Sequence, residues 1–171
     1  MQISEVYGMI LKRQIEGVMF HDEMAQYYAF IGLHGYKHFH KNQSKEEMRA
    51  YMRTWCFYID QYGRLPDEQA AKDPEVIPIA WRSVNMDAVS PTVKKQAVKD
   101  AIEKYVDWEN ETIRIYEQAC SELWDMGDYI GGEKVKQNLV EANCELRKAK
   151  HKRLMLSAVE YDLSYIAGDN A

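Results

Sequence analysis

Apolar residues recur at steps of three and four along most of the 171-residue chain. This spacing is the period of an amphipathic α-helix, and it predicts four long helices. The predicted helices span about 4–33, 36–62, 91–126 and 132–165. Only 9 glycines and 4 prolines occur in the whole chain, and so few helix breakers over this length favour long helices.

Turn residues divide the predicted helices into two pairs. Glycines mark the turn within each pair, at Gly32, Gly35, Gly127, Gly131 and Gly132. Helices joined by such short turns lie antiparallel. The segment 63–90 holds three of the four prolines, and Ser90-Pro91 is typical of a helix start. This order predicts a single all-α domain, 1–171, that is a four-helix bundle with one long crossover between its second and third helices.

Charged residues on apolar stripes are the candidates for an internal site, because burying an unpaired charge costs several kcal/mol. The third predicted helix has one carboxylate, Glu109, within an otherwise apolar stripe. That stripe is Ile102, Val106, Glu109, Ile113, Tyr116, Cys120 and Leu123. On the first helix, two carboxylates share a stripe that reads Glu16, Phe20, Glu23, Tyr27, Phe30 and His34.

The second predicted helix has two possible inward faces. The more apolar stripe is Met48, Met52, Trp55 and Ile59. The neighbouring stripe is His40, Glu47, Tyr51, Thr54 and Tyr58. If the apolar stripe faces inward, Glu47 lies at the edge of the buried face. The fourth helix has a core row of Val135, Leu139, Ala142, Leu146 and Ala149, with Glu141 and Glu145 on either side.

One inward glutamate on each of four helices is the pattern of carboxylate-bridged two-metal sites, since hard oxygen ligands suit iron and manganese. The candidate ligands are Glu23, Glu47, Glu109 and Glu141, with Glu16 as the reserve on the first helix. The competing interpretation is that these glutamates are solvated or paired with lysines, as most glutamates in long helices are.

Three segments resemble helices of ferritin-like proteins. They are Glu23-Met-Ala-Gln-Tyr-Tyr-Ala-Phe, the stretch 41–66, and Trp108-Glu-Asn-Glu-Thr-Ile-Arg-Ile-Tyr-Glu-Gln-Ala. The resemblance implies a ferritin-like four-helix bundle and a site that oxidises ferrous iron or activates dioxygen. Its cofactor would be iron or manganese.

The sequence departs from the metal-binding signature of this family, a Glu-x-x-His pair on the second and fourth helices. Ala50 follows Glu47 at the third position, Cys144 follows Glu141, and no glutamate in the chain is followed there by histidine. Either the bundle has lost its metals and kept the fold, or a histidine such as His40 or His151 is supplied from elsewhere.

The net charge, the remaining histidines and the length of the apolar runs disfavour several classes of function. A net charge of −5 disfavours a nucleic-acid binder, and the one basic cluster, 147–153, is predicted to be a solvated or subunit-contacting face. His34 and His38 are predicted to be a solvated loop pair. No apolar run is long enough for a membrane span or signal peptide, so we expect a cytoplasmic protein with no membrane partner.

Three cysteines without a CxxC pair predict free thiols: Cys56, Cys120 and Cys144. The sequence leaves open whether the protein is an enzyme. The first hypothesis is a ferritin-like protein with a degenerate di-metal site of oxidase or storage type. The alternative is a non-catalytic interaction or scaffold protein, with self-association through helix faces in either case.

Overall fold

The computed structural model describes residues 1–66 and 90–168 of the chain. Within these ranges the structure has four long helices and one short one. They are α1 (Ile3–Phe30), α2 (His34–Tyr62), α3 (Pro91–Asp125), α4 (Tyr129–Ala158) and α5 (Leu163–Gly168). This confirms the predicted all-α class. None of these helices is both long and apolar enough to cross a lipid bilayer.

The helix directions confirm the predicted topology. The helices α1 and α2, α1 and α3, and α3 and α4 are antiparallel, because residue numbers along each seam change in opposite order. The contacts between α1 and α2 are Tyr7–Tyr58 and His21–His40. Those between α1 and α3 are Arg13–Thr112 and His21–Tyr105. Those between α3 and α4 are Cys120–Gly132 and Glu103–Arg153. The helices α2 and α3 therefore run in the same direction, as the predicted long crossover between them requires. Residues 67–89 of this crossover lie outside the described ranges.

The start of α3 agrees with the sequence. Ser90 is the N-cap, its side-chain oxygen accepts a hydrogen bond from the Val93 amide at 3.3 Å, and Pro91 begins the helix. At this position proline loses no hydrogen bond, because the first amide groups of a helix have no partner within it.

The bounds of α4 differ from the prediction of 132–165. The helix begins earlier, at Tyr129, because the Asp128 side chain caps it by accepting a hydrogen bond from the Gly131 amide at 3.0 Å. It ends earlier, at Ala158, because Glu160 and Tyr161 have φ values of 52° and 55°. A right-handed helix cannot continue through two left-handed residues.

The apolar core consists of two clusters separated by polar residues. One cluster surrounds Phe20, Met24, Tyr28 and Tyr105, and the other surrounds Tyr7, Ile10, Tyr58 and Leu123. Between them lies a set of buried polar side chains that we call the polar layer: Arg13, Gln14, Glu16, Glu109 and Thr112. The polar layer is where an internal site would lie, since buried polar groups require partners.

The inward face of α2 is the more polar of its two stripes. The buried residues are Tyr36, His40, Ser44, Thr54 and Tyr58. The most apolar stripe instead faces outward, with Met48, Met52 and Ile59 exposed at 38%, 60% and 42%. Hydrophobicity alone misleads here because α2 faces the polar layer along its middle and contributes tyrosines to the core at both ends.

Candidate functional site

A pocket of about 260 Å³ lies at the level of the polar layer, and α2 and α4 supply most of its lining. Five glutamates line it: Glu46, Glu47, Glu109, Glu141 and Glu145. Gln14 of α1 and Thr112 and Tyr116 of α3 are also among its lining residues. All four long helices therefore contribute to one pocket, as an internal site of a helix bundle requires.

Glu109 is the most buried carboxylate of the pocket, with only 3% of the residue exposed. Its burial raises the pKa well above the usual value, and the neighbouring Glu47 and Glu145 raise it further by repulsion. The sequence predicted this burial from the apolar stripe on α3. A carboxylate in this position is stabilised by a proton or by a cation.

Glu47 approaches the pocket from α2 and packs against the backbone of α1. A Cβ atom placed on Gly17 would lie 3.0 Å from Cδ of Glu47, so glycine is what admits this side chain. Burial raises the pKa of Glu47 to about 7, while the positive charge of Arg13 acts to lower it.

Glu145 and Glu141 lie one turn apart on α4, and both are more accessible than Glu109. The Tyr105 hydroxyl donates a hydrogen bond to Oε2 of Glu145 at 3.4 Å, and Lys148 forms an ion pair with the same side chain. The Glu141 side chain is 65% exposed and lies 3.7 Å from Arg53 on α2. Glu141 is therefore a residue of the pocket mouth, whereas Glu145 reaches towards the interior.

The Gln14 amide is a buried polar group without a normal hydrogen bond. The residue is 1% exposed, and neither Oε1 nor Nε2 has a partner of ordinary geometry among the described residues. The Tyr116 hydroxyl is close enough to interact with this amide. Since an unsatisfied buried amide is costly, Gln14 is suited to receive a further ligand from the pocket.

Arg13 adds a buried positive charge beside the pocket. The residue is 4% exposed. Its side chain is fixed to α3 by hydrogen bonds from Nε to Oγ1 of Thr112 at 2.9 Å and from Nη2 to the Trp108 carbonyl oxygen at 2.7 Å. Nothing in the apolar pattern of α1 indicated an inward arginine.

The predicted ligands are brought together only in part. Glu47, Glu109 and Glu141 line the same pocket, whereas Glu23 does not. The inward face of α1 consists of Phe20, His21, Met24 and Tyr28, which leaves Glu23 half-buried at its side. Glu16, the reserve residue, belongs to the polar layer but lies beside Arg13 at 4.0 Å and does not line the pocket.

Sequence reasoning did not choose Glu145 as a ligand. A signal was available, because Glu145 follows Glu141 by one helical turn and so shares its face. The sequence could not decide which of the two reaches further inward, since the pocket-facing edge of α4 is set by packing against the other helices.

The histidines do not complete the pocket. His21 and His40 form a buried pair, with their Nδ1 atoms 3.0 Å apart. Both residues are 1% exposed and lie against Tyr105. His34, His38 and His151 are exposed. The prediction that His34 and His38 lie in a loop was wrong, because α2 begins at His34 and includes both residues. The hypothesis that His40 or His151 substitutes for the missing histidine ligand is therefore not supported by the positions of these residues.

The donor set is suited to a hard cation and not to a di-metal centre with histidine ligands. Carboxylate and amide oxygens are ligands for ferrous iron, manganese or magnesium. In the described part of the chain, no three His, Cys, Asp or Glu side chains lie close enough to one another, in the positions they have, to hold a metal ion. Binding therefore requires the glutamates, which have flexible side chains, to rotate towards one another.

The helical bundle has the fold of ferritins. An open-pore ferritin from the archaeon Archaeoglobus fulgidus matches the chain with a TM-score of 0.79 and 18% identity, over 96% of this chain and 91% of that one. An engineered closed form of the Archaeoglobus ferritin gives a TM-score of 0.80 at 18% identity, over 98% and 93%.

A humanized archaeal ferritin is also similar, with a TM-score of 0.74 and 16% identity over 96% of this chain and 90% of that one. At such low identity these similarities show the fold alone. No protein-family model matches the chain, and no curated protein sequence matches it.

Proposed function

We propose that the protein is a ferritin-like iron-handling protein of storage type, and that its pocket takes up ferrous iron. The observation that carries this proposal is the convergence of Glu47, Glu109 and Glu145 from three helices on one pocket, beside the buried amide of Gln14, which has no hydrogen bond of ordinary geometry among the described residues. Manganese, with the same preference for oxygen ligands, is the second cation we expect to bind.

The electrostatics of the pocket support uptake of a cation. Burial raises the pKa of both Glu47 and Glu109, and neighbouring glutamates raise it further, so a bound divalent cation would compensate these carboxylates by favouring their ionised forms. Glu46 and Glu141 are exposed in the pocket lining and attract cations towards it. The cation therefore passes from partly hydrated carboxylates to enclosed ones.

Titration of the metal-free protein with ferrous iron under anaerobic conditions tests this proposal. We expect binding in the wild type and a loss of at least tenfold in affinity in Glu109→Gln, about 1.4 kcal/mol, because a buried anionic ligand is removed. Glu117→Gln is the matched control, since Glu117 is an exposed glutamate on the same helix.

A wild type that binds no iron or manganese would contradict the proposal. Equal affinity in the wild type and Glu109→Gln would contradict the assignment of the site, even if the protein bound iron. Elemental analysis of protein expressed with added iron gives an independent measure of the same property.

The alternative function is a helical scaffold that has kept the fold and lost its metals. The buried guanidinium of Arg13 favours this alternative, because a fixed positive charge partly neutralises the pocket without any metal. Under this alternative no cation binds, and Glu109→Gln stabilises the protein because it removes a buried carboxylate that Arg13 compensates only in part.

We also propose that the chain associates with further copies of itself through the outward stripe of α2. Met48, Met52 and Ile59 are exposed there on one helix face, as noted above. Met52→Asp is expected to lower the particle mass in analytical ultracentrifugation, because it places a charge in an apolar contact. Leu154→Asp, at an exposed leucine of α4, is the control. An unchanged mass for Met52→Asp would exclude this face.

A further inference from the structure

The two buried histidines lie apart from the carboxylate pocket and have no part in the proposed function. His21 of α1 and His40 of α2 are each 1% exposed, and neither is among the residues that line the pocket. Their Nδ1 atoms are 3.0 Å apart, and the planes of the two rings are inclined by 26°. Two imidazole nitrogens, one from each helix, therefore point towards each other at the seam between α1 and α2.

Both imidazoles are neutral in the folded protein. Burial lowers the pKa of His21 to about 3 and that of His40 well below 6.5. A neutral imidazole carries its proton on one nitrogen only, so one Nδ1 donates a hydrogen bond and the other accepts it. If the donor ring carries its proton on Nε2 instead, both Nδ1 atoms present lone pairs. A cation between them then displaces no proton from the pair.

The surroundings of the pair limit the number of ligands. The rings that contact the two imidazoles are those of Phe20, Tyr28, Phe39 and Tyr105. Magnesium and manganese prefer several oxygen ligands, and zinc usually has four ligands in all. Copper(I) and silver(I), in contrast, form stable complexes with two nitrogen ligands in a line. The pair is therefore suited to a soft ion that needs no further ligands.

The charges near the pair favour a monovalent ion over a divalent one. The positive charge of Arg13 lowers the pKa of His21, and that of Lys152 lowers the pKa of His40. The same charges repel any bound cation, and Coulomb's law makes this repulsion twice as strong for a divalent ion. Imidazoles are neutral ligands and do not offset the charge of the ion, so the smaller charge is preferred.

The pair has to open slightly to admit an ion. Two metal–nitrogen bonds of about 2 Å place the nitrogens about 4 Å apart, whereas the Nδ1 atoms are now 3.0 Å apart. Nε2 of His21 has no hydrogen-bond partner among the described residues, so no hydrogen bond at that atom resists the movement. The Tyr28 ring lies parallel to the His40 ring within 9°, and its hydroxyl has no partner there either. The two stacked rings are therefore able to slide together.

We infer that His21 and His40 form a second cation site, which binds one copper(I) ion in linear coordination between their Nδ1 atoms. This site differs in chemistry from the carboxylate pocket, whose oxygen ligands suit hard divalent cations. Because its two ligands belong to different helices, the bound ion links α1 to α2 and stabilises the folded protein.

Titration of the metal-free protein with copper(I) under anaerobic conditions, in competition with a coloured copper(I) chelator, tests the inference. Thiols also bind copper(I), so every variant carries Cys56→Ser and Cys144→Ser, which remove the two cysteines that are not buried. We expect one ion per chain with the pair intact, and an affinity lower by at least about tenfold in His21→Phe. His151→Phe is the matched control, because His151 is exposed.

X-ray absorption at the copper edge gives a second measurement that does not depend on a histidine variant. With the pair intact we expect two nitrogen neighbours at about 2 Å and no sulfur neighbour. Failure to bind copper(I), sulfur in place of nitrogen, or equal affinity in His21→Phe and His151→Phe would each overturn the inference. If His21→Phe does not fold, the absorption spectrum decides the question.

Glu109→Gln separates this inference from the proposed function. We expect it to weaken the binding of ferrous iron and to leave the affinity for copper(I) unchanged, because Glu109 belongs to the pocket and not to the histidine pair. A loss of copper(I) affinity in Glu109→Gln would place the ion in the pocket and overturn the inference. Absence of copper(I) binding leaves cation uptake by the carboxylate pocket intact.

Discussion

The sequence alone predicted the burial of some residues of the polar layer but not of others. Glu109 was predictable, because a single carboxylate within six apolar stripe positions has few surface explanations. Arg13 was not, because a long cationic side chain at a helix position is usually solvated. Its burial depends on the Trp108 ring and carbonyl, which belong to another helix 95 residues away in the sequence. Such a contact has no local signature.

The His21–His40 pair leads to a prediction about pH. Burial lowers the pKa of His21 from 6.5 to about 3 and that of His40 well below 6.5, so both imidazoles stay neutral in the folded protein. The unfolded chain takes up these protons below pH 6.5, and unfolding therefore becomes more favourable as the pH falls. At pH 5 the loss for His21 is about 2 kcal/mol.

We expect His21→Phe to lose less stability than the wild type between pH 7 and pH 5, by about 2 kcal/mol, in urea unfolding at each pH. His151→Phe is the control, since His151 is exposed and should leave the pH dependence unchanged. Parallel curves for the wild type and His21→Phe would show that the pair does not hold its neutral form in the fold.

At the level of helices, the sequence predicted the bundle and its order but left the rotation of α2 open between two faces. The repeat of apolar residues locates a helix, and it indicates the buried face only where core contacts are apolar. The helix α2 faces Glu109 and Arg13 along its middle, so the more polar stripe turns inward. The early end of α4 was equally hidden, since no glycine or proline precedes the left-handed residues Glu160 and Tyr161.

The seam between α1 and α2 leads to a second prediction, at Gly17. Gly17→Ala places a methyl group 3.0 Å from Cδ and Cγ of Glu47, and this displaces the carboxylate from the α1 backbone. We expect about fivefold weaker Mn²⁺ binding, which corresponds to about 1 kcal/mol. Calorimetry of the purified variant measures this change.

A double-mutant cycle with Glu47→Ala controls for unrelated effects of the methyl group. In the Glu47→Ala background the side chain that collides is gone, so Gly17→Ala should change binding by less than about 0.5 kcal/mol. If Gly17→Ala has the same effect in both backgrounds, the close approach of Gly17 and Glu47 does not position the carboxylate.

The arrangement of the whole bundle explains how it accommodates a buried polar site. Two apolar clusters, one towards each end, hold the helices together, and the polar layer between them is free to carry charge. The parallel arrangement of α2 and α3 brings Glu47 and Glu109 to one level. This topology was predictable from the placement of prolines in the segment 63–90. The positions of Glu145, Gln14 and Arg13 beside these residues were not predictable, because they depend on packing between helices.

Anomalous scattering from manganese tests most directly whether the carboxylate pocket holds a cation. Crystals grown from the intact chain with Mn²⁺ should show an anomalous peak in the pocket, bonded to Glu109 and to Glu47 or Glu145. A pocket without a peak, or a peak at His21 and His40 alone, would contradict cation binding by the pocket.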